Sequence, residues 1–145
     1  MQSPAPPAPR GKILVVDDDP DLCRLLATFL AGSGFTVLTR SSAEPAFAAV
    51  EAEQPDVVIT DLQMPGESGA QLCARIHAAA PDVPVLVMTA YGSIEAAVEA
   101  MRAGAEDFVT KPIRLDALEV RLQRALQKRA LQREPWWRAA HQHRL

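Results

Sequence analysis

Apolar runs and helical stripes alternate along the chain between residue 12 and about residue 132. The clearest run, KILVV, is apolar almost throughout, as expected of a strand that is covered on both faces. Four further runs of strand length are rich in apolar and β-branched residues. The five predicted strands are KILVV, FTVLT, DVVIT, VPVLVM and EDFVT, at residues 12–16, 35–39, 56–60, 83–88 and 106–110.

After each strand, apolar residues recur at the three- and four-residue spacing of an amphipathic α-helix. Asp19 before Pro20 predicts a capped start for the first helix, and a serine near Pro45 predicts a capped start for the second. The predicted helices span residues 20–31, 42–53, 69–80, 93–103 and 115 to about 132. The side chains expected on buried faces of the first, third and fifth helices are Leu22, Leu25, Leu26, Phe29, Leu30, Leu72, Cys73, Ile76, Ala80, Leu115, Leu118, Leu122 and Leu126.

This alternation of five strands with five helices predicts an α/β domain. Its expected form is a (βα)5 doubly wound, five-stranded parallel sheet with right-handed crossovers. We expect this domain at residues 12–131. Residues 1–11 are proline-rich and without periodicity, which predicts a disordered leader. Residues 132–145 are expected to form a basic C-terminal tail or a truncated linker.

The bulk composition narrows the class of protein. At 145 residues, the chain is long enough for one domain with a proper core. No apolar run approaches the ~18 residues of a membrane span, and no secretory signal pattern opens the chain. We therefore predict a cytoplasmic protein without a membrane partner. Cys23 and Cys73 form no C-x-x-C pair and are expected to be reduced packing residues.

Charge is unevenly distributed, although the net value is only −3. Residues 11–120 carry 7 basic and 17 acidic residues, whereas residues 121–145 carry 7 basic residues and one acidic residue. The basic end admits three interpretations: a disordered terminus, an aromatic peptide that contacts a partner or nucleic acid through Trp136 and Trp137, or a weak metal pair at His141 and His143. Nucleic-acid binding within this chain is not the expected function.

Polar residues stand where the predicted strands end. The first strand ends at Asp17 and Asp18, the third at Asp61, the fourth at Thr89 and the fifth at Lys111. Because ligands bind at the carboxyl ends of the strands in an open parallel sheet, these side chains are expected to share one pocket. The second strand ends without comparable chemistry, as expected of an edge strand.

Each of these residues also has a structural explanation when it is taken alone. Asp61 suits a turn, Thr89 suits a solvated strand end and Lys111 suits the surface. Their coincidence at matching strand ends favours a joint site. Close carboxylates repel unless a cation lies among them, and an oxygen-only ligand set without His or Cys favours Mg²⁺ over zinc. A dication, a lysine and a hydroxyl together suit a phosphoryl group.

Around these residues the sequence resembles the receiver domain of bacterial two-component response regulators, over residues 12 to about 131. The stretch from Met88 to Ile113 most resembles receivers of the nitrogen-regulatory (NtrC-like) type. The resemblance implies a flavodoxin-like sheet with strand order 2-1-3-4-5. The motifs that carry it follow the family's order and are ILVVDDDP, DVVITDLQMPGESG, VPVLVMTAYGS and AGAEDFVTKPI.

The resemblance also implies a role for each site residue. Asp61 would be the phosphoryl acceptor, through nucleophilic attack by its carboxylate. Asp18 would hold Mg²⁺ directly and Asp17 through water, with Asp61 and the backbone carbonyl of Gln63 completing the protein ligands. Lys111 would pair with the carboxylate and then with the phosphoryl oxygens.

Further positions are implied to act in switching and in phosphoryl lifetime. Thr89 would move to bind the phosphoryl group, and Phe108 would turn inward with it. Gln63 and Tyr91 would tune access of the hydrolytic water, and a bulky Tyr91 is expected to slow dephosphorylation. The bond between Lys111 and Pro112 is typically cis in this family.

By the same resemblance, the expected partners are a sensor histidine kinase and an output domain or effector protein that controls transcription. The fourth helix, fifth strand and fifth helix form the expected partner or homodimer face. The chain is thus expected to be a phosphoacceptor switch, and not an enzyme beyond its own phosphoryl uptake and slow loss. Three alternatives remain: a flavin-binding electron carrier, a Mg²⁺-dependent phosphatase with an aspartate nucleophile, and a stand-alone interaction module with a basic tail.

Overall fold

A computed structural model describes residues 10–90 and 93–132 of the chain, and in this part five strands alternate with five helices. The elements, in chain order, are β1 (Lys12–Val16), α1 (Pro20–Gly32), β2 (Thr36–Arg40), α2 (Ala43–Glu53), β3 (Val57–Asp61), α3 (Gly69–Ala79), β4 (Val85–Ala90), α4 (Ile94–Arg102), β5 (Asp107–Lys111) and α5 (Leu115–Gln132).

The strands form one parallel sheet in the order β2-β1-β3-β4-β5, so the predicted doubly wound fold is confirmed. The chain runs outward from β1 to the edge strand β2 and then crosses back to β3. This reversal leaves the carboxyl ends of β1 and β3 side by side at the edge where such sheets bind ligands. In register, Val16 of β1 lies opposite Thr60 of β3, so the residues that follow emerge together.

Two apolar layers cover the sheet, one on each face. Successive side chains of β1 enter opposite layers, because side chains alternate between the two faces of a strand. Leu14 packs with α2, α3 and α4, whereas Ile13 packs with α1 and α5. Both side chains are completely buried, as the continuously apolar strand pattern predicts.

The predicted buried faces of the helices agree in part with the structure. On α1 the buried residues are Cys23, Leu26 and Leu30. The assignment of Leu25 to the buried face was wrong, since this side chain is 52% exposed. The buried stripe is narrower than the run of leucines because only one side of the helix contacts the sheet. On α5, Leu118 and Leu122 are fully buried as expected.

The two predicted helix caps have different outcomes. Asp19 caps α1, accepting hydrogen bonds from the backbone N–H groups of Asp21 and Leu22 at 2.9 and 3.4 Å. This cap is confirmed. Ser42 is the N-cap residue of α2, as predicted, but its side chain makes no capping hydrogen bond.

Both cysteines are free and buried, as expected for packing residues. Burial raises the pKa of the Cys73 thiol to about 11. Burial also raises the pKa of Cys23, whose thiol donates to the backbone carbonyl of Asp17 at 3.3 Å. None of the helices in the described residues is both long and apolar enough to span a membrane.

The buried leucines of α5 provide a test of the packing. Replacing Leu118 by Ala should lower the free energy of unfolding by about 2–5 kcal/mol, because it opens a cavity between α5 and the sheet. The matched control is Leu131→Ala on the same helix, where the side chain is 69% exposed and the change should cost less than about 0.5 kcal/mol. Urea unfolding measures both, and equal losses would contradict this packing.

Candidate functional site

The ends of β1, β3 and β5 meet at one edge of the sheet through a lysine. The Lys111 ammonium donates to Asp17 Oδ2 at 2.9 Å and to Asp61 Oδ2 at 3.1 Å. Both carboxylates belong to buried residues, and Asp17 is only 1% exposed. A single cation therefore joins residues that are 94 and 50 positions apart in the chain.

The three consecutive aspartates have three different environments. Asp17 points into the site, and its second oxygen accepts from the backbone N–H of Asp19 at 2.8 Å. Asp19 turns away to cap α1. Asp18 is exposed on the side open to solvent. The hydrogen bonds between Asp17 and the backbone thus hold the loop that presents Asp18 to the site.

Asp17, Asp18 and Asp61 form a cluster in which one carboxylate oxygen of each residue lies within 4.8 Å of the others. Three carboxylates and one ammonium leave two net negative charges, which one divalent cation would balance. A set of oxygen donors with an open, solvent-facing side suits Mg²⁺, which keeps part of its water shell. The residues present therefore fit the metal that the sequence predicted.

The electrostatics of the cluster follow from burial and charge. Burial raises the pKa of Asp17, and the nearby charge of Asp61 acts in the same direction. Burial alone would lower the pKa of Lys111, but its hydrogen bonds to Asp17 and Asp61 and their negative charges outweigh that effect and raise it. The lysine is thus held in its charged form between the two carboxylates.

Asp61 itself is held by the turn that follows it. Its Oδ1 accepts from the backbone N–H of Gln63 at 3.1 Å, while its other oxygen faces Lys111. The side chain of Gln63 is exposed. Asp61 is therefore oriented by one backbone donor and one charged donor.

Gly69 is a site-positioning residue that the sequence analysis recognised only as the start of α3. A Cβ atom at this position would lie 2.1 Å from the backbone oxygen of Asp61 and 2.7 Å from Leu62 Cα. The Gly69 N–H also donates to the carbonyl of Leu62 at 3.0 Å. The start of α3 therefore packs directly on the residue that carries the central carboxylate. A glycine opening a helix after the acidic strand end was the available signal.

The other predicted residues lie near this edge at different depths. Thr89 is buried and directly follows Met88, whose Cα pairs with that of Asp61. Phe108 is half-buried, packs against the core formed with α2, α3 and α4, and lies under the guanidinium of Arg121 at 6.0 Å. The Lys111–Pro112 peptide bond is cis. The prediction for Tyr91 lies outside the described residues.

The sequence profile of the family described as "Response regulator receiver domain" matches residues 13–123. The chain belongs to the response-regulator receiver domain family. The match covers all five strands except Lys12, the first residue of β1, and extends into α5 as far as Gln123. The resemblance to this family that the motifs indicated is confirmed.

Relatives place this receiver domain among those of the nitrogen-regulatory type. It is 40% identical to the transcriptional regulatory protein GlrR of Escherichia coli over 88% of this chain and 29% of that protein. It is 36% identical to the DNA-binding transcriptional regulator NtrC of Salmonella typhimurium over 87% of this chain and 27% of that protein. The chain thus spans less than a third of the length of these relatives.

Solved structures agree. NtrX from Brucella abortus, in complex with ADP, superimposes with a TM-score of 0.81 at 37% sequence identity, covering 86% of this chain and 29% of that chain. The shared part is the receiver domain, with its five parallel strands and five helices.

The contact between Gly69 and Asp61 predicts that replacing this glycine lowers the stability of the domain. Gly69→Ala should lower the free energy of unfolding by about 1–3 kcal/mol, because the added methyl group meets backbone that cannot rotate away. The matched control is Gly32→Ala in α1, where a Cβ meets nothing within 4 Å and helix propensity should add roughly 0.5–1 kcal/mol. Urea unfolding separates the two, and a neutral Gly69→Ala would contradict the close packing.

Proposed function

We propose that this receiver domain accepts a phosphoryl group on Asp61 in a Mg²⁺-dependent reaction and uses it to switch a partner surface. The observation that carries the proposal is the buried carboxylate of Asp61, held by Lys111 and flanked by Asp17 and Asp18. No other part of the described chain offers three clustered carboxylates and an ammonium.

In the proposed reaction a carboxylate oxygen of Asp61 attacks phosphorus. A P–O bond forms, the bond from phosphorus to the donor breaks, and the donor leaves with the electron pair. Lys111 is already within hydrogen-bond distance of Asp61, so its ammonium is available to the incoming phosphoryl oxygens. Because the chain itself provides the nucleophile and keeps the product, the reaction is a self-modification and not turnover of a substrate.

Asp17, Asp18 and Asp61 would hold Mg²⁺, with the backbone carbonyl of Gln63 as a further ligand. When bound, the ion supplies positive charge that offsets the negative charge of the phosphoryl group. The chain's own part is to keep the carboxylates together: Lys111 neutralises Asp17 and Asp61, and the backbone donor at Asp19 fixes Asp17.

Phosphorylation adds about −1.5 to −2 charge and new acceptor oxygens at the end of β3. In the proposed switch, Thr89 binds one of these oxygens and Phe108 moves into the space that Thr89 leaves. Phe108 is already half-buried beside Thr89 along one groove, so the movement is a local repacking. Contacts made only in the phosphorylated state would shift the equilibrium between the two conformations of Thr89 and Phe108.

A sensor histidine kinase is the proposed donor, and an output domain or effector protein is the proposed recipient of the signal. The output would be transcription control, as in the names of GlrR and NtrC, and the site of action would then be the cytoplasm. We propose α4, β5 and α5 as the partner or homodimer face, and residues 12–131 as the complete receiver unit, followed by a basic tail or linker.

The other functions that the sequence left open are less well supported. A flavin carrier needs a phosphate loop after its first strand, and three aspartates there would repel a cofactor phosphate. An aspartate-nucleophile phosphatase would need a second acid two residues after Asp61, where Gln63 stands. An interaction module without chemistry does not account for two buried carboxylates bridged by Lys111.

The proposal predicts phosphorylation by a small donor. Incubation with acetyl phosphate and Mg²⁺ should give a single phosphoryl adduct by intact mass, because the transfer chemistry lies in the receiver domain itself. Asp61→Asn should abolish the adduct, since the amide is no nucleophile. The matched control is Asp116→Asn, an exposed carboxylate on α5 whose loss should leave the adduct unchanged.

A chelator should suppress the adduct in the unchanged protein, since the metal would then be missing. The proposal would be wrong if folded protein gave no adduct with Mg²⁺, or if Asp61→Asn still gave one.

A second prediction concerns the lifetime of the phosphoryl group. Tyr91 lies two residues beyond Thr89 in the sequence, where a bulky side chain would hinder the hydrolytic water. Tyr91→Ala should therefore shorten the half-life of the adduct, measured by intact mass after removal of the donor. An unchanged or longer half-life would show that Tyr91 does not limit access of water.

A further inference from the structure

The loop between β3 and α3 is held at its far end by an arginine of α3. We call residues 62–68 the β3–α3 loop. It starts directly after Asp61 and contains Gln63, whose backbone carbonyl is the further Mg²⁺ ligand of the proposed function. The one charged residue in the loop is Glu67, which is half-buried. The contacts of Glu67 therefore bear on how the loop is placed.

Arg75 of α3 joins this loop to α2. Its Nη1 donates to both carboxylate oxygens of Glu67, at 3.0 and 3.1 Å, and to Glu44 Oε2 at 3.1 Å. Its guanidinium lies over the ring of Phe47, 4.2 Å from the centroid. Glu44 and Phe47 both belong to α2. One side chain thus ties the end of the loop to two helices.

This contact differs from an ordinary surface ion pair, which contributes little because water screens it and two long side chains lose freedom. The side chains of Arg75 and Glu67 are only 34% and 28% exposed. The arginine also packs on an aromatic face, which favours a cation at that place. In addition, it separates two carboxylates that both lie within hydrogen-bond distance of one nitrogen. The pair therefore belongs at the upper end of what such contacts contribute.

The link from Glu67 back to the metal ligand is short. Only Met64, Pro65 and Gly66 separate Glu67 from Gln63. The proline ring fixes its own φ and so stiffens the link. Met64 is buried and anchors the middle of the loop. A displacement of Glu67 would therefore act on the Gln63 backbone across three residues, of which one is rigid and one is packed.

We propose that Arg75 is a positioning residue for the metal site. Through Glu67 it fixes the β3–α3 loop and so holds the backbone carbonyl of Gln63 where Mg²⁺ can bind. This role rests on the proposed function, since it deepens the account of the same metal site. Arg75 is not itself one of the proposed ligands, so it sets the affinity for the ion without contributing a donor atom.

The sign of the change in Mg²⁺ affinity separates positioning from simple electrostatics. Arg75→Met removes a positive charge, which through space would strengthen the binding of a dication. If Arg75 positions the loop, R75M should instead weaken Mg²⁺ binding about two- to fivefold, the range that one ion pair can contribute. A Mg²⁺ titration of the intact chain, followed by amide NMR signals, measures the dissociation constant and verifies the fold.

Arg75→Lys is the conservative variant and should restore most of the affinity. All three hydrogen bonds of Arg75 use the single nitrogen Nη1, so one ammonium can replace them. A role that needed only the bulk of the arginine would instead be filled equally well by methionine, and R75K would then bind Mg²⁺ no better than R75M.

The matched control is Glu44→Gln. Glu67→Gln and Glu44→Gln each remove one carboxylate from the same arginine nitrogen and change the charge equally, but only Glu67 lies in the loop. E67Q should weaken Mg²⁺ binding as R75M does, whereas E44Q should leave it nearly unchanged. E67Q also replaces R75M as the test if R75M does not fold.

A second readout needs no metal. In the metal-free chain, hydrogen exchange of the amides of residues 62–68 should be about threefold faster or more in R75M and E67Q than in E44Q, because the loop opens more often. Folded R75M with equal or tighter Mg²⁺ binding, E44Q that matches E67Q, or unchanged loop exchange would each overturn the role of Arg75. An unchanged chain that binds no Mg²⁺ would instead contradict the proposed function itself, and the role of Arg75 with it.

Discussion

The rest of the site depends on one interaction, the bridge from the Lys111 ammonium to the carboxylates of Asp17 and Asp61. Two buried carboxylates close together repel each other, and a buried charge without a partner is strongly destabilising. The positive charge of Lys111 offsets the repulsion between the two carboxylates. It leaves the cluster with Asp18 still negative overall, so the folded chain retains an attraction for a cation that it does not itself satisfy.

The parallel sheet explains how distant residues can make this bridge. All five strands end at the same edge, and the crossing from β2 back to β3 sets Asp17 and Asp61 on neighbouring strands. Lys111 stands on β5, which β4 separates from β3, so its Cα is about 10 Å from that strand at normal strand spacing. A long, flexible lysine side chain spans this gap, whereas a shorter cation would not reach both carboxylates.

The sequence predicted the elements and the convergence of the strand ends, because both depend on periodicity and on a simple topological rule. It failed where tertiary contacts decide. Leu25 belongs to a run of leucines but faces solvent, since only the packing of α1 on the sheet selects its buried side. Ser42 has the right residue type for a cap without the hydrogen bond. The role of Gly69 depends on a backbone contact across a turn, and its place at the start of a helix marks the residue without specifying that contact.

Strand β5 brings Lys111 to the site and also lines, with α4, an apolar groove beside it, so the site and the groove share one strand. Thr89, the last residue but one of β4, pairs with Thr110, and Phe108, two residues before Thr110 on β5, lines the groove. Thr89 and Phe108 both line this groove, so in the proposed switch a change in the contacts of Thr89 would alter the surroundings of Phe108. A groove occupant that bound one state of Thr89 and Phe108 better than the other would be coupled to phosphorylation, and linkage would make that coupling reciprocal.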